Sequence, residues 1–137
     1  MQNYFKPAMP EAEIQQMSAL ALAHIGDSVF ELLVRTRLCL RGGSTNKALH
    51  RDTVAQVCAQ AQAALLPKLL PLLTQEEEAL YRRGRNARPH GVPKNASPSQ
   101  YAKATGLETL FGALYLRGET ARIHTLFAAL MEDNDAI

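Results

Sequence analysis

Two acidic residues, Asp27 and Glu108, stand out because each lies in an otherwise apolar helical pattern. On a helical wheel, Asp27 shares its face with the apolar Leu20 and Val34, and further apolar residues lie opposite. We therefore expect a helix that is buried over most of its surface. A buried carboxylate without a partner costs several kcal/mol, so Asp27 needs a cation, a hydrogen-bond donor or a metal. A salt bridge or a helix cap would meet this need as well as a metal would.

Glu108 is flanked by small residues one helical turn away on either side, Ala104 and Gly112. Small residues let another helix approach closely, and a second acid on that helix would form a carboxylate pair with Glu108. Two carboxylates in a buried cleft either raise each other's pKa or hold a divalent cation. Mg²⁺ keeps most of its waters, so two acids are a sufficient set of direct protein ligands. A simple helix-packing role for Glu108 is the equal alternative.

The segment at 82–94, RRGRNARPHGVPK, carries five arginine or lysine residues and no acid. The overlapping stretch 86–99, with three prolines, a glycine and two asparagines, predicts a loop, and a loop of this length suggests a function. Arginine and lysine suit a phosphate backbone, while asparagine can reach sugar hydroxyls or base edges in a shallow RNA minor groove. A solvated charged surface is the alternative interpretation. With two residues near an earlier helix start, the predicted RNA-binding set is Lys47, His50, Arg82, Arg83, Arg85, Asn86, Arg88, Lys94 and Asn95.

Other kinds of site find no support in the sequence. The four histidines have no acid or thiol at metal-ligand spacing, and Ser28 lacks the G-x-S-x-G context of a hydrolase nucleophile. There is no phosphate-binding glycine loop either, so serine hydrolases and nucleotide-binding folds are set aside. Cys39 and Cys58 have no paired spacing, and we interpret them as reduced core thiols of a cytosolic protein.

The chain of 137 residues, 47% of them hydrophobic, predicts one domain at 1–137 with its own core. Its net charge of +2 is too small to indicate nucleic acid by itself. The amino terminus resembles neither a signal peptide nor a membrane span. No segment alternates as a strand does, so the predicted fold class is all-α. The predicted helices lie at 18–40, 46–66, a short turn between the prolines at 67 and 71, a capped helix from 74 that frays near 84, 99–116 with a kink at 106, and 120–131.

Three blocks together carry a resemblance to a known family. The run ALAHIGDSVFELLVR resembles the signature of the ribonuclease III catalytic domain, and ATGLETLFGALYL resembles its second conserved block. Between them, RRGRNARPHGVPKNAS is similar to the long basic segment of the mini subgroup, and the blocks follow in order across nearly the whole chain. The resemblance implies the helical ribonuclease III endonuclease fold and Mg²⁺-dependent hydrolysis of double-stranded RNA by a homodimer. Asp27 and Glu108 match the catalytic, metal-binding acids.

The resemblance also implies a role and a mechanism. Bacterial members of the mini subgroup trim the ends of large-subunit (23S) ribosomal RNA precursors in the cytoplasm. The two acids would hold Mg²⁺, which activates water for in-line attack and leaves a 5′-phosphate and a 3′-hydroxyl. Glu31, one turn from Asp27, either orients a metal-bound water or pairs with a nearby arginine. Thr105, like Glu31, is expected to lie next to the two acids without binding the metal itself.

The chain departs from full-length ribonuclease III in two respects. It ends at Ile137, without room for a double-stranded-RNA-binding domain, and the further acids of the longer enzymes are here Leu20, Ala23 and Thr105. Both departures fit the mini subgroup, but they leave open how a second metal would be held. We expect the first long helix, from Leu22 to Val34, to supply much of the apolar contact of the homodimer. A catalytically silent RNA-binding module and a helical dimeric interaction protein are the rival interpretations.

Overall fold

The structure, a computed structural model, describes residues 1–87 and 96–135, and every regular element in these two ranges is a helix. The prediction of an all-α fold is therefore confirmed. None of the described helices combines the length and the apolar character that crossing a membrane would require. In chain order the helices are α1 (Glu11–Gln16), α2 (Ala19–Arg41), α3 (Asn46–Val57), α4 (Ala59–Ala64), α5 (Leu66–Leu69) with a 3₁₀ turn at Leu70–Leu72, α6 (Gln75–Arg85), α7 (Pro98–Leu116) and α8 (Thr120–Asp135).

Local capping explains where most of these helices begin and end. The side chains of Ser18 and Thr45 accept hydrogen bonds from backbone N–H groups in the first turns of α2 and α3. Thr74 and Glu77 form the predicted capping box at the start of α6. α2 ends at Gly42, whose φ of 71° suits glycine.

The predicted helix at 46–66 is in fact two helices, because Cys58 is extended, with φ −66° and ψ 156°. This break lets α4 change direction and pack against α7. It also explains why one core-thiol prediction is wrong: Cys58 lies exposed at the break. Cys39 is exposed too, so neither free thiol belongs to the core.

α6 ends at Arg85, one residue beyond Gly84, in agreement with the helix end expected near this glycine, whereas α7 is one continuous helix through Gly106. Both glycines also let the two helices approach closely. A Cβ at Gly84 would overlap the Thr109 side chain, and one at Gly106 would lie 2.6 Å from the Tyr81 ring. Their role is in packing.

α7 is the central helix, and α2, α4 and α6 all pack against it. Near its middle, Phe111 meets Phe30 of α2 edge to face, with ring centroids 5.7 Å apart. Phe30 makes a similar contact with Phe127 of α8, at 5.8 Å. All three rings are buried, so α2, α7 and α8 share one core.

Candidate active site

The two candidate acids meet where α2 crosses α7. A Cβ at Gly26 would overlap the carbonyl oxygen of Glu108, and a Cβ at Gly112 would overlap that of Leu22. The two helices are thus in backbone contact, as the small residue at position 112 predicted. Because Asp27 directly follows Gly26, the crossing places its carboxyl beside that of Glu108, within hydrogen-bonding reach.

The environment of Glu108 favours its protonated form when no metal is bound. Burial, repulsion from the Asp27 carboxylate and a hydrogen bond with that carboxyl together raise the pKa of Glu108 to about 8. A hydrogen bond from Gln62 opposes the rise. A divalent cation would relieve the repulsion between the two carboxylates, so this donor pair fits a metal.

Asp27 is exposed, although the helical wheel predicted burial. The prediction was wrong because apolar neighbours on one helix face do not make that whole face buried: Leu20, on the face of Asp27, is 36% exposed, although Val34 on the same face is buried. Burial therefore acts mainly on Glu108, while Asp27 faces solvent. An exposed acid beside a half-buried one leaves the pair accessible to a substrate.

The two predicted supporting residues have local partners. The carboxylate of Glu31 forms an ion pair with Arg35 one turn later, with Oε2 2.8 Å from Nη2. Of the two roles expected for Glu31, the pairing with an arginine is therefore the one that is observed. Thr105 is buried, and its hydroxyl donates to the carbonyl oxygen of Tyr101, 2.9 Å away in the same helix.

Gln62 of α4 was not predicted, yet it contacts the site. Its side chain is only 1% exposed, and its Nε2 donates to Oε2 of Glu108 at 3.4 Å. In the sequence AQAQAA, Gln62 and the exposed Gln60 are equivalent, so the sequence carries no signal that separates them. The break at Cys58 sets the direction of α4 and hence which of the two glutamines faces α7.

In the part of the chain that the structure describes, no cluster of three or more histidine, cysteine, aspartate or glutamate side chains could hold a metal. The donor set at this crossing is the pair Asp27 and Glu108. Two carboxylates suit Mg²⁺ better than zinc, since structural and catalytic zinc sites use three or four nitrogen, sulfur or oxygen ligands from the protein.

The predicted RNA-binding residues fall into three groups. Arg83 is in a structural position: its Nη2 donates to the carbonyl oxygen of Met17 at 2.6 Å, and its Nη1 is buried. We therefore remove Arg83 from the predicted phosphate-binding set. Arg88, Lys94 and Asn95 lie outside the described residues. The exposed ones are Lys47 and His50 on α3, and Arg82, Arg85 and Asn86 at the carboxyl end of α6.

Comparisons with known proteins bear on the same region. A family model described as the ribonuclease III domain matches residues 20–119, a range that contains both acids and Gln62. Mini-ribonuclease 3 of Symbiobacterium thermophilum is 47% identical over 110 residues, which are 80% of this chain and 85% of the relative. Mini-ribonuclease 3 of a Synechocystis strain is 44% identical over 135 residues, covering 98% and 91%.

The fold comparison agrees with the sequence comparisons. The crystal structure of a Fusobacterium nucleatum protein, 27% identical, superposes with a TM-score of 0.78 and covers 89% of this chain and 98% of that one. The helical fold, the extent of the domain match and the identity to these relatives lead to one conclusion. The chain belongs to the ribonuclease III family, in its mini-ribonuclease 3 group.

Proposed function

We propose that this chain, an endoribonuclease by its family, uses Asp27 and Glu108 to hold Mg²⁺ and hydrolyse double-stranded RNA. Enzymes of the ribonuclease III family generally depend on a divalent metal. The observation that carries the proposal is the carboxylate pair at the α2–α7 crossing, where the raised pKa of Glu108 reflects a charge repulsion that a cation would relieve.

The chain's own residues contribute position and charge. Glu108 gives up its proton to become a ligand, and the exposed Asp27 presents the second carboxylate toward solvent, where a duplex can dock. When bound there, Mg²⁺ would activate a water for in-line attack on the scissile phosphate and would stabilise charge on the departing 3′ oxygen. Breaking the bond between phosphorus and the 3′ oxygen leaves a 5′-phosphate and a 3′-hydroxyl.

For the natural substrate we propose the paired ends of the large-subunit (23S) ribosomal RNA precursor, processed in the cytoplasm. This proposal rests on the resemblance of the chain to the mini subgroup. The purified protein should cut a duplex made from the two precursor ends at defined positions, mapped by primer extension. Equal cutting along an unrelated duplex of the same length would contradict this choice of substrate.

We further propose a homodimer. A duplex has antiparallel strands, and a twofold axis relates two identical sites in the same antiparallel sense. The predicted interface needs correction, because Leu22, Phe30 and Val34 are buried in the chain's own core. The exposed Leu32 of α2 is the better candidate for the contact. A mass in solution of one chain, measured at concentrations that support cleavage, would contradict the dimer.

The proposed activity is tested by incubating the protein with a long RNA duplex, first with Mg²⁺ and then with excess EDTA. We expect cleavage only in the presence of Mg²⁺, and binding of the duplex in both conditions. Metal-independent binding without any cleavage would indicate a silent RNA-binding module. Absence of both would indicate a helical interaction protein.

The exposed arginines of α6 allow a prediction for RNA binding. Changing Arg82 and Arg85 to Ala should weaken duplex binding and make it less sensitive to salt. The slope of the logarithm of the binding constant against the logarithm of the salt concentration should become shallower by roughly 0.7 to 0.9 for each lost phosphate contact. Neither arginine is held by a buried ion pair: Arg82 lies 4.0 Å from Glu78, an exposed pair, and Arg85 contacts the adjacent Asn86 and lies 5.8 Å from the centre of the Tyr81 ring.

Arg83→Ala is the matched control from the same helix. The variant should have a lower melting temperature, because it loses the hydrogen bond from the Arg83 guanidinium to the Met17 carbonyl. The salt dependence of its duplex binding should be that of the parent. The measurement is the duplex dissociation constant at several salt concentrations. An unchanged slope in the Arg82, Arg85 double variant would place the RNA on another surface.

A further inference from the structure

The buried amide of Gln62 has a contact that packing alone does not require. Gln62 is 1% exposed, and it joins α4 to α7 through the hydrogen bond from its Nε2 to Oε2 of Glu108. A buried amide costs free energy unless it is hydrogen-bonded. Here the hydrogen bond goes to one of the two acids of the candidate active site.

An interruption between two helices precedes this contact in the chain. α3 stops at Val57, Cys58 is extended, and α4 starts again in a direction that packs on α7. Gln62 faces α7 from the second half of this six-residue helix, whereas Gln60, on the same helix, faces solvent. The backbone of α4 and the burial of the side chain therefore direct the Gln62 amide toward α7.

A fixed donor constrains the carboxylate that it touches. A glutamate side chain has three rotatable bonds, and half-burial alone leaves the rotation of its terminal carboxylate free. A hydrogen bond to one oxygen limits that rotation. Residues that orient metal ligands in this way affect metal affinity although they do not touch the metal.

We propose that Gln62 is a positioning residue, which holds the Glu108 carboxylate beside Asp27 in the orientation that binds the divalent cation. The inference rests on the proposed function, since it assumes that Asp27 and Glu108 form the metal site. It goes further by assigning to α4 an indirect part in metal binding, through the orientation of Glu108. Gln62 would act through Glu108 and would not contact the RNA.

The experiment compares Gln62→Met with Gln60→Met in the full chain. Methionine is unbranched and similar in length to glutamine, but it has no N–H to donate. The primary readout is Mn²⁺ binding without RNA, followed by electron paramagnetic resonance of the free ion. We expect Gln62→Met to bind Mn²⁺ about 10- to 100-fold more weakly than the parent, and Gln60→Met to bind it as the parent does.

Duplex cleavage supplies a second readout. Gln62→Met should lower kcat at limiting Mg²⁺ with little change in KM for RNA, and a higher Mg²⁺ concentration should restore much of kcat. A variant damaged only in its packing would not recover with metal. Mn²⁺ affinity within threefold of the parent in folded Gln62→Met would show that Gln62 only fills space, and would overturn the inference.

If Gln62→Met does not fold, Gln62→Asn is measured with the same thresholds. It keeps the amide but is one methylene shorter, so its donor falls short of Glu108. Failure of the inference is distinguishable from failure of the proposed site. If Asp27→Asn and Glu108→Gln lose Mn²⁺ binding and Gln62→Met does not, only the inference fails; if the two acid variants bind Mn²⁺ as the parent does, the site itself is wrong.

Discussion

Changing Asp27 to Asn, or Glu108 to Gln, is expected to lower kcat for duplex cleavage by about a thousandfold or more, which corresponds to about 4 kcal/mol of transition-state stabilisation. Each change keeps the size of the side chain and removes the charge that binds the metal. Asp27 is exposed, and Gln at position 108 stays neutral where an ionised Glu108 would be a half-buried charge, so neither variant should unfold. The measurement is single-turnover cleavage of a long duplex in Mg²⁺.

The control is Glu13→Gln, which neutralises an exposed acid of α1. It should cut at the parent rate, and all variants should bind the duplex with similar affinity in EDTA. Activity within tenfold of the parent in both Asp27→Asn and Glu108→Gln would remove these residues from the mechanism.

The raised pKa of Glu108 gives the same site a pH dependence. Metal binding needs the ionised form, so the apparent affinity for Mg²⁺ should fall as the pH drops below about 8. The stability of the metal-free protein should change in the opposite direction. The folded-state pKa of Glu108 lies above its ordinary value of 4.5, so the folded protein holds the extra proton between pH 4.5 and about 8 and loses stability as the pH rises through that window.

Glu108→Gln isolates this contribution. In EDTA the variant should melt at a higher temperature than the parent at pH 8.5, and at about the same temperature at pH 5, where Glu108 is protonated. If the difference in melting temperature between Glu108→Gln and the parent stays constant from pH 5 to pH 8.5, Glu108 has an ordinary pKa.

The features that sequence alone predicted are those set by local chemistry. The capping box at Thr74 and Glu77 and the glycine end of α2 at Gly42 depend on residues within one or two turns. The approach of a second helix beside Glu108 followed from the small residue at 112, since it requires only that something pack there.

The features that sequence alone did not predict depend on contacts distant in the chain. Nothing in the alanine-rich segment before and after Cys58 separates one continuous helix from two, and packing of α4 on α7 decides the matter. Gln62 was missed for that reason. The exposure of Asp27 was missed because the wheel treated its whole face as buried on the evidence of Leu20 and Val34, whereas Leu20 is exposed in the single chain.

The glycines show the same difference between features set by local chemistry and features set by distant contacts. Gly84 was interpreted as the place where α6 frays, and Gly106 as a kink in α7, because glycine weakens an isolated helix. In the fold they are contact points between α6 and α7, where a side chain would not fit. Intrinsic propensity and packing therefore make opposite predictions for a helical glycine in this protein.

Helix propensity and packing differ most in the stability change that they predict for replacing Gly26 by alanine. Helix propensity alone says that Gly26→Ala should stabilise α2 by about 1 kcal/mol. Packing says that the new methyl group would overlap the Glu108 carbonyl oxygen and lie 2.8 Å from the backbone nitrogen of Gly112. Backbone atoms in the middle of two helices cannot rotate away, so α2 and α7 must separate along their whole contact.

We therefore expect Gly26→Ala to destabilise the protein by about 3 kcal/mol, at the upper end of the usual cost of overpacking. Urea unfolding measures this change, and Ser28→Ala is the control, because it improves helix propensity two residues away on an exposed surface and should change stability by only a few tenths of a kcal/mol. Separation of the helices also moves Asp27 away from Glu108, so any Gly26→Ala protein that remains folded should bind Mn²⁺ weakly. A Gly26→Ala variant as stable as the parent would mean that α2 and α7 do not touch at this glycine, and that the two acids are held together by some other contact.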